Sequence, residues 1–456
     1  MTLAPSSVSR RAMTYSWYVV WALLAVSVLG YVDRLILSFL VEPIKKDLGL
    51  TDTQVGLLTG LAFAVLYAVA GLPLGRIMDR ANRGLVLAAC VVTWSVGTVC
   101  GGLAGSFSAL FLARVAVGAG EAGLSPAAVS LIGDHFDPGE AEKPLGLFTV
   151  GLYVGGGAAL IVGGELIAYL SSLRVVVLPI VGQISAWRAA FILIGVPGLA
   201  LAALIGLTVR GPHRGAGRRS VASLGDTLAF ARQNGKLLSL LILAVMAWGF
   251  NGYGLLNWYP AMLTRTYGLS ARELAWAYGS VFLVGGALGA LSLSPAVRWA
   301  SRRGARNPLF AVAVWTMAAM TLSSIAGPLA PTAAGAIVCT FITLLTSSMT
   351  TASIYSIIVA VVPAQLRGTY TSAYMAVMNL TGGAFGALLV GMLTDHVFGP
   401  SRLNIALSTV ASVFGPLSVV LIVLARGEYS RRPPLIGDAP LAMREVMADS
   451  ASPAPK

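Results

Sequence analysis

Charge is scarce in this chain. Of its 456 residues 11% are Asp, Glu, Lys or Arg and 57% are hydrophobic, whereas a soluble protein carries about 25% charged residues. That deficit excludes an ordinary water-soluble domain. Cysteine and histidine are scarcer still, three of each. Cys90, Cys100 and Cys339 lie inside apolar stretches, where they read as small buried hydrophobes, and their spacing offers neither a zinc site nor a disulfide framework. The histidines fall in loops or at helix ends, so no metal is expected. No cofactor is expected either. A cleavable leader is not apparent: the first apolar run begins near Trp17 behind Arg10 and Arg11, is long enough to span, and lacks a small-residue cleavage site.

What is present in their place is a series of long hydrophobic runs. A bilayer-crossing helix needs about 20 apolar residues at a rise of about 1.5 Å each. Twelve such runs occur, at 17–40, 53–74, 85–104, 109–133, 145–168, 187–209, 237–262, 273–295, 308–327, 333–361, 369–393 and 403–425. The net charge of +13 would suit a nucleic-acid partner, but its placement argues for topology. Of the 31 Lys and Arg, 22 fall on the connections sharing a side with both chain ends, 7 on the opposite side and 2 within spans. Basic excess marks the cytoplasmic side. Both termini are therefore expected in the cytoplasm, and nucleic-acid binding is excluded. Arginine far outnumbers lysine and no sorting signal is visible, which suggests a bacterial inner membrane.

The longest polar connection, Arg210-Gly-Pro-His-Arg-Gly-Ala-Gly-Arg-Arg-Ser and on to Lys236, divides the spans six and six. The expected organisation is a cytoplasmic tail (1–16), a six-helix bundle (17–209), a linker (210–236), a second six-helix bundle (237–425) and a tail (426–456) rich in Pro, Ala and charge. This is an all-α membrane protein in which a site forms between two halves. Within the linker, Val221 to Arg232 fits a short interfacial helix with Leu224, Leu228 and Ala231 on one face. The fifth-to-sixth connection holds Val175-Val-Val-Leu-Pro-Ile-Val181, too short to cross; it lies on the outer surface or extends a neighbouring helix.

Four charged residues interrupt the apolar spans. Asp33 and Arg34 are adjacent in the first; Arg114 and Glu121 share one helical stripe with Gly118 in the fourth. A charge at the bilayer centre costs about 2.5–3.5 kcal/mol on the lenient insertion scale, so these groups should line a polar cavity or pair with another helix. Helical rise puts Asp33, Arg34 and Arg114 at one depth and Glu121 on the order of 10 Å deeper. Arg114 also fits a structural ion pair between helices. Gly118-Ala-Gly120-Glu-Ala-Gly123 matches the dinucleotide fingerprint, but no strand precedes it and its glycines lie mid-span.

The second-to-third loop reads Gly71-Leu-Pro-Leu-Gly75-Arg-Ile-Met-Asp79-Arg80-Ala-Asn-Arg83. Its spacing resembles the loop motif of the major facilitator superfamily of transporters. Tyr31-Val-Asp33-Arg34, the stretch Val41-Glu-Pro-Ile-Lys-Lys-Asp-Leu-Gly-Leu-Thr-Asp-Thr-Gln54, Gly120-Glu121-Ala122 and Ala186-Trp187-Arg188 are similar to its spinster-like branch. The resemblance implies twelve transmembrane helices in two pseudo-symmetric six-helix bundles, working as a monomer. Gly75, Asp79, Arg80 and Arg83 would form a cytoplasmic gate. Asp33, Arg34, Arg114 and Glu121 would serve proton coupling and head-group sensing. The branch implies a lysophospholipid or sphingosine-phosphate-like cargo, with a small organic anion or drug-like compound as the alternative. Two departures stand out. The fifth span lacks the Gly-Pro pair of many antiporters, and Ser294-Pro-Ala-Val-Arg298-Trp-Ala-Ser-Arg302-Arg303 lacks the acid that Asp79 supplies in the first half.

The second half carries uncharged polar groups. Most membrane hydroxyls bond back to their own helix, so Thr343, Ser347 and Thr350 are weak candidates. Asn251 and Asn379 need partners and, with Tyr355 and Tyr374, are the expected cavity residues. Asn379-Leu-Thr381 spells a glycosylation site that its mid-span position rules out. Glu165 reads as a surface acid. No Ser-His-Asp set or nucleotide loop is present, so a sensor or lipid-modifying enzyme is the remoter reading. The expected partners are an anionic cargo, protons and membrane lipids. The opposed effects of low dielectric and nearby arginine on Glu121 would let movement load and release a proton.

Overall fold

The computed structural model describes residues 7–136, 142–173, 176–178, 182–209, 224–363 and 366–431. Twelve helices there are long and apolar enough to cross a membrane. Those of the first half are Met13–Phe39, Asp52–Gly71, Arg83–Leu103, Phe107–His135, Tyr153–Ser172 and Ala186–Thr208; those of the second are Gly235–Tyr267, Ala271–Arg302, Pro308–Ala326, Ala333–Val361, Thr369–Phe398 and Pro400–Ser430. They differ from the hydrophobic runs mainly at their ends, because the seventh, eighth and last helices continue beyond the apolar stretch. Prolines inside several helices, such as Pro197 and Pro260, are tolerated in a membrane bundle because neighbouring groups satisfy the freed carbonyls.

Two features depart from a purely helical chain. Val176–Leu178 and Gly182–Ile184 pair antiparallel, Val176 opposite Ile184, so the apolar fifth-to-sixth connection is in part a hairpin rather than a helix extension. Helical geometry also widens to π-turns at Leu57–Leu61 in the second span and Asn379–Gly386 in the eleventh. These two segments meet each other across the halves. Gly56 and Gly60 make that approach possible: a Cβ on Gly60 would fall 2.6 Å from the Ala384 carbonyl oxygen, and one on Gly56 2.7 Å from that of Ala387. The fifth and eighth spans approach in the same way, with Gly157 against Leu283 and Gly164 against Ala275.

The cores show how the halves are joined. Near the chain ends each half has its own: Leu23, Trp94, Val117 and Leu131 in the first, Leu237, Phe310, Met317 and Ile357 in the second. Away from the chain ends one cluster runs through both, from Leu37, Leu40 and Leu58 to Trp258, Leu263 and Val390. Among the described residues every ion pair between the halves also lies at that far rim. Arg265 donates from Nε to Glu42 at 2.6 Å and from Nη1 and Nη2 to the Asp52 oxygens at 2.7 and 2.8 Å. Lys45 also pairs with Asp52, and Asp395 accepts the backbone N–H groups of Asp52 and Thr53 at 3.1 and 2.6 Å. At another edge of the same rim Glu165, a surface acid as expected, accepts from Arg272 at 3.0 Å and Trp276 at 2.8 Å across the halves. The far rim is closed.

The linker helix runs Leu224–Gln233, a few residues from its expected bounds. Leu228 on the expected apolar face is 56% exposed. The contact comes from another side: Phe230 meets the Tyr370 ring at 5.4 Å, and Tyr370 donates to the Thr227 carbonyl at 2.9 Å. Residues 210–223 of the linker and 432–456 of the tail lie outside the described residues.

Candidate functional site

The four intramembrane charges come together in the first half. Arg34 donates from Nη2 at 2.6 Å and from Nε at 3.1 Å to a single oxygen of Glu121, Oε2. Arg114 donates from Nη1 to the Asp33 backbone carbonyl at 3.2 Å and to Oδ1 at 3.5 Å. The second Asp33 oxygen accepts from the hydroxyl of Thr98 in the third span. Asp33, Arg114 and Glu121 are each 2% exposed, whereas the Arg34 side chain keeps 27%. The depth offset estimated from helical rise does not separate Arg34 from Glu121, because the arginine stem spans it.

Glycine at 118 and 120 sets these distances. A Cβ on Gly118 would stand 2.3 Å from the Phe63 carbonyl oxygen of the second span. One on Gly120 would stand 2.7 Å from both Cys90 O and Trp94 N of the third. The fourth span is thus pressed between its neighbours, and the Gly-x-Gly-x-x-Gly pattern serves helix packing. Arg34 in turn lies over aromatic faces, its Cζ 4.6 Å from the Phe63 ring centroid, 5.5 Å from Tyr67 and 5.8 Å from Tyr31. Such faces favour a cation electrostatically. Two polar atoms are left over: Glu121 Oε1 and Arg114 Nε are buried without a hydrogen-bond partner. Thr98, Phe63 and Tyr67 were not legible as site residues, since a Thr or an aromatic ring in an apolar run carries no signal of its own.

The second half answers with amides and phenols. Asn251 is 2% exposed, donates to Ser324 Oγ at 3.3 Å, and keeps Oδ1 unpartnered. Asn379 accepts from the Tyr253 hydroxyl at 3.1 Å and donates to Met375 O at 2.9 Å. Tyr355 and Tyr374 meet edge to face at 5.3 Å, and the Tyr374 hydroxyl is buried without a partner. Thr343 and Thr350 bond Ser323 and Thr316 of the ninth span, both at 2.8 Å, rather than only their own helix. A cavity of about 40 Å³ between Gly252, Tyr259, Tyr278 and Thr343 has room for water, not for cargo.

At the expected gate, Arg83 pairs with Asp134 of the fourth span and donates to Met78 O at 3.3 Å, both within its own half. The side chains of Asp79 and Arg80, and the surroundings of Gly75, lie outside the described residues.

Twelve spans in two bundles around paired buried charges match a known family. The model of the Major Facilitator Superfamily matches residues 22–387 and 260–445. The chain belongs to the major facilitator superfamily. Among relatives in that superfamily, an MFS-type efflux pump of Mycolicibacterium smegmatis is 32% identical over 91% of this chain and 94% of its own. A sphingosine-1-phosphate transporter of Mus musculus is 26% identical over 81% and 68%. A solved bacterial homologue of the human lysosomal transporter spinster, inward-facing and unoccupied, superposes with a TM-score of 0.72 at 26% identity, over 96% of this chain and 99% of that one. The chain is therefore spinster-like within the superfamily, a membrane transporter and not an enzyme.

Proposed function

We propose that this superfamily member is a proton-coupled secondary transporter of an organic anion, moving its cargo by alternating access between the two halves. One observation carries the reading: Arg34, the least buried of the four intramembrane charges, shares its guanidinium with a Glu121 oxygen at 2.6 Å. An anion reaching Arg34 competes with Glu121 for the same donors. Once displaced, the Glu121 carboxylate loses its partner in a low-dielectric site, where the neutral acid is favoured. Arrival of cargo and uptake of a proton are thereby linked, and departure reverses both. Asp33 and Arg114, fully enclosed with Thr98, hold the first and fourth spans in register beside this exchange.

The relatives bracket the cargo. One is named for sphingosine 1-phosphate and another for efflux. A lysophospholipid or sphingoid phosphate and a smaller organic or drug-like anion share the chemistry that Arg34 selects, an anionic group on a less polar body. The distribution of Lys and Arg supports cytoplasmic termini, and the closed far rim then supports an inward-facing arrangement. The transporter would sit in a bacterial inner membrane and work as a monomer. Gly75, Asp79, Arg80 and Arg83 would shape the cytoplasmic gate.

The test is reconstitution in liposomes with an imposed pH gradient. Glu121→Gln is expected to leave a folded protein that still binds its anion but no longer accumulates it in response to the gradient. Gradient-driven flux equal to the wild type would overturn the coupling assignment. Loss of anion binding in Arg34→Gln completes the expected pattern.

A further inference from the structure

We propose that the second half carries a discrete site for an anionic phospholipid where the eighth and ninth spans meet near the chain ends. Arg298, Arg302, Arg303 and Arg306 take the head-group phosphate, and Trp299 and Trp315 take the start of the acyl chains. The site uses none of the residues around Arg34 and is independent of the cargo reading. Its connection holds four arginines in the stretch 298–306 and no acid. All four are exposed, and among the described residues none of their side chains has a hydrogen bond or an ion pair. The matching connection of the first half differs, because there Arg83 finds Asp134 of the fourth span. Without such an acid, the second-half arginines are left for an anion from outside the chain. Asn307, next in sequence, donates from Nδ2 to Ser430 Oγ of the last helix at 2.6 Å, which fixes the connection on the chain-end rim.

Basic excess alone would orient a loop without building a site. The aromatic pair adds the second element. Trp299 and Trp315 meet edge to face at 5.3 Å, and Arg303 Cζ stands 4.4 Å from the Trp299 ring centroid. Stacking of this kind steadies a guanidinium while leaving its N–H groups free for a phosphate. Both rings are nonetheless half-exposed. Helical rise puts Trp299 about 5 Å and Trp315 about 10 Å inside the ends of their helices, the depth at which head groups give way to acyl chains. Leu288, eleven residues before Trp299, and Leu322, seven after Trp315, continue the same two stripes toward the middle of the bilayer, and both are exposed. A soluble anion would use the arginines and leave this apolar track empty. A phospholipid uses both.

The test places the full-length protein in phosphatidylcholine nanodiscs with a minor fraction of lipid brominated along its acyl chains, and reads quenching of tryptophan fluorescence. The brominated lipid is either phosphatidylglycerol or phosphatidylcholine. Exposed Trp21 and Trp276 supply a baseline that both should quench alike. Brominated phosphatidylglycerol is expected to quench at least twofold more than the same amount of brominated phosphatidylcholine. Trp299→Phe with Trp315→Phe should remove that excess, and so should Arg302→Gln with Arg303→Gln. All four side chains reach the surface, so both variants should melt as the wild type does. Arg232→Gln with Arg431→Gln, an equal loss of exposed charge near the chain ends, should keep the excess, as should inorganic phosphate at millimolar concentration. Equal quenching by the two lipids overturns the proposal. So does an excess that survives either site variant, one that falls as far in the Arg232 and Arg431 control, which would mean bulk attraction, or one that free phosphate abolishes, which would mean a soluble-anion site.

Discussion

At the scale of single residues, the decisive contrast lies between charges that are enclosed and charges that are not. Arg114 and Asp33 are both 2% exposed and face each other inside the first half. Removing one member of such a pair strands the other in a medium that cannot solvate it, at a cost of about 3–5 kcal/mol. Arg114→Ala is therefore expected to lower the melting temperature and yield of detergent-purified protein sharply. The double change Arg114→Ala with Asp33→Asn should recover much of the loss, because neither charge is then left alone. Arg272 is the control: 66% exposed beside Glu165, its change to Ala should cost about 0–1 kcal/mol. A thermal-shift series that ranks the three variants otherwise contradicts the enclosed pair. These four intramembrane charges were legible in the sequence because each interrupts an apolar run. Thr98 was not, since nothing distinguishes a hydroxyl that reaches Asp33 from one that bonds only its own helix, and this one accompanies its bond to Asp33 with a bond to Trp94 O at 3.0 Å.

At the scale of elements, existence and length follow from hydrophobicity, while the way helices meet follows from where side chains are missing. All twelve spans stand where apolar runs predict them. The meeting of the second and eleventh spans was not foreseen, because it depends on glycines 56 and 60 touching backbone more than three hundred positions away. The π-turns at Leu57–Leu61 and Asn379–Gly386 were likewise hidden, as no residue type marks them; such turns recur at functional sites. Nor did the apolar character of Val176–Leu178 reveal a hairpin, since short apolar runs suit strand and helix alike. A prediction separates contact glycines from idle ones. Gly60→Ala would set a Cβ 2.6 Å from the Ala384 carbonyl oxygen, whereas Gly71 in the same helix has nothing within 4 Å of its own. Gly60→Ala should abolish transport with circular dichroism unchanged. Gly71→Ala should transport normally and melt slightly higher, by about 0.4–1 kcal/mol of added stability. Equal activity in the two would show that close approach of these spans is dispensable.

At the scale of the molecule, the two halves share a core and ion pairs at one rim and keep separate cores at the other. The sequence announced two halves through the polar stretch between them, but it did not announce which rim is closed. That information resides in pairings such as Arg265 with Asp52, which linear spacing cannot predict. Asp52 is the hub of this closure: it is fully buried, it takes both terminal nitrogens of Arg265 from the other half, and its own N–H reaches Asp395 there. Opening the far rim must part Arg265 from Glu42 and Asp52 together, and alternating access requires that rim to open. Arg265→Ala leaves Asp52 with Lys45, a partner from its own half, so the acid stays compensated while the arginine tie across the halves is lost. The variant should therefore fold, and its population should shift toward an arrangement open at the far rim. Spin labels placed across that rim, read by pulsed distance measurements, should report a longer component enriched severalfold over the wild type. Arg265→Lys, which keeps the charge but cannot hold two carboxylates through a planar fork, should fall between the two. A distance distribution identical in all three proteins would mean that the shared apolar cluster and the remaining ties, Asp395 with Asp52 and Thr53 and Glu165 with Arg272, hold the rim without Arg265.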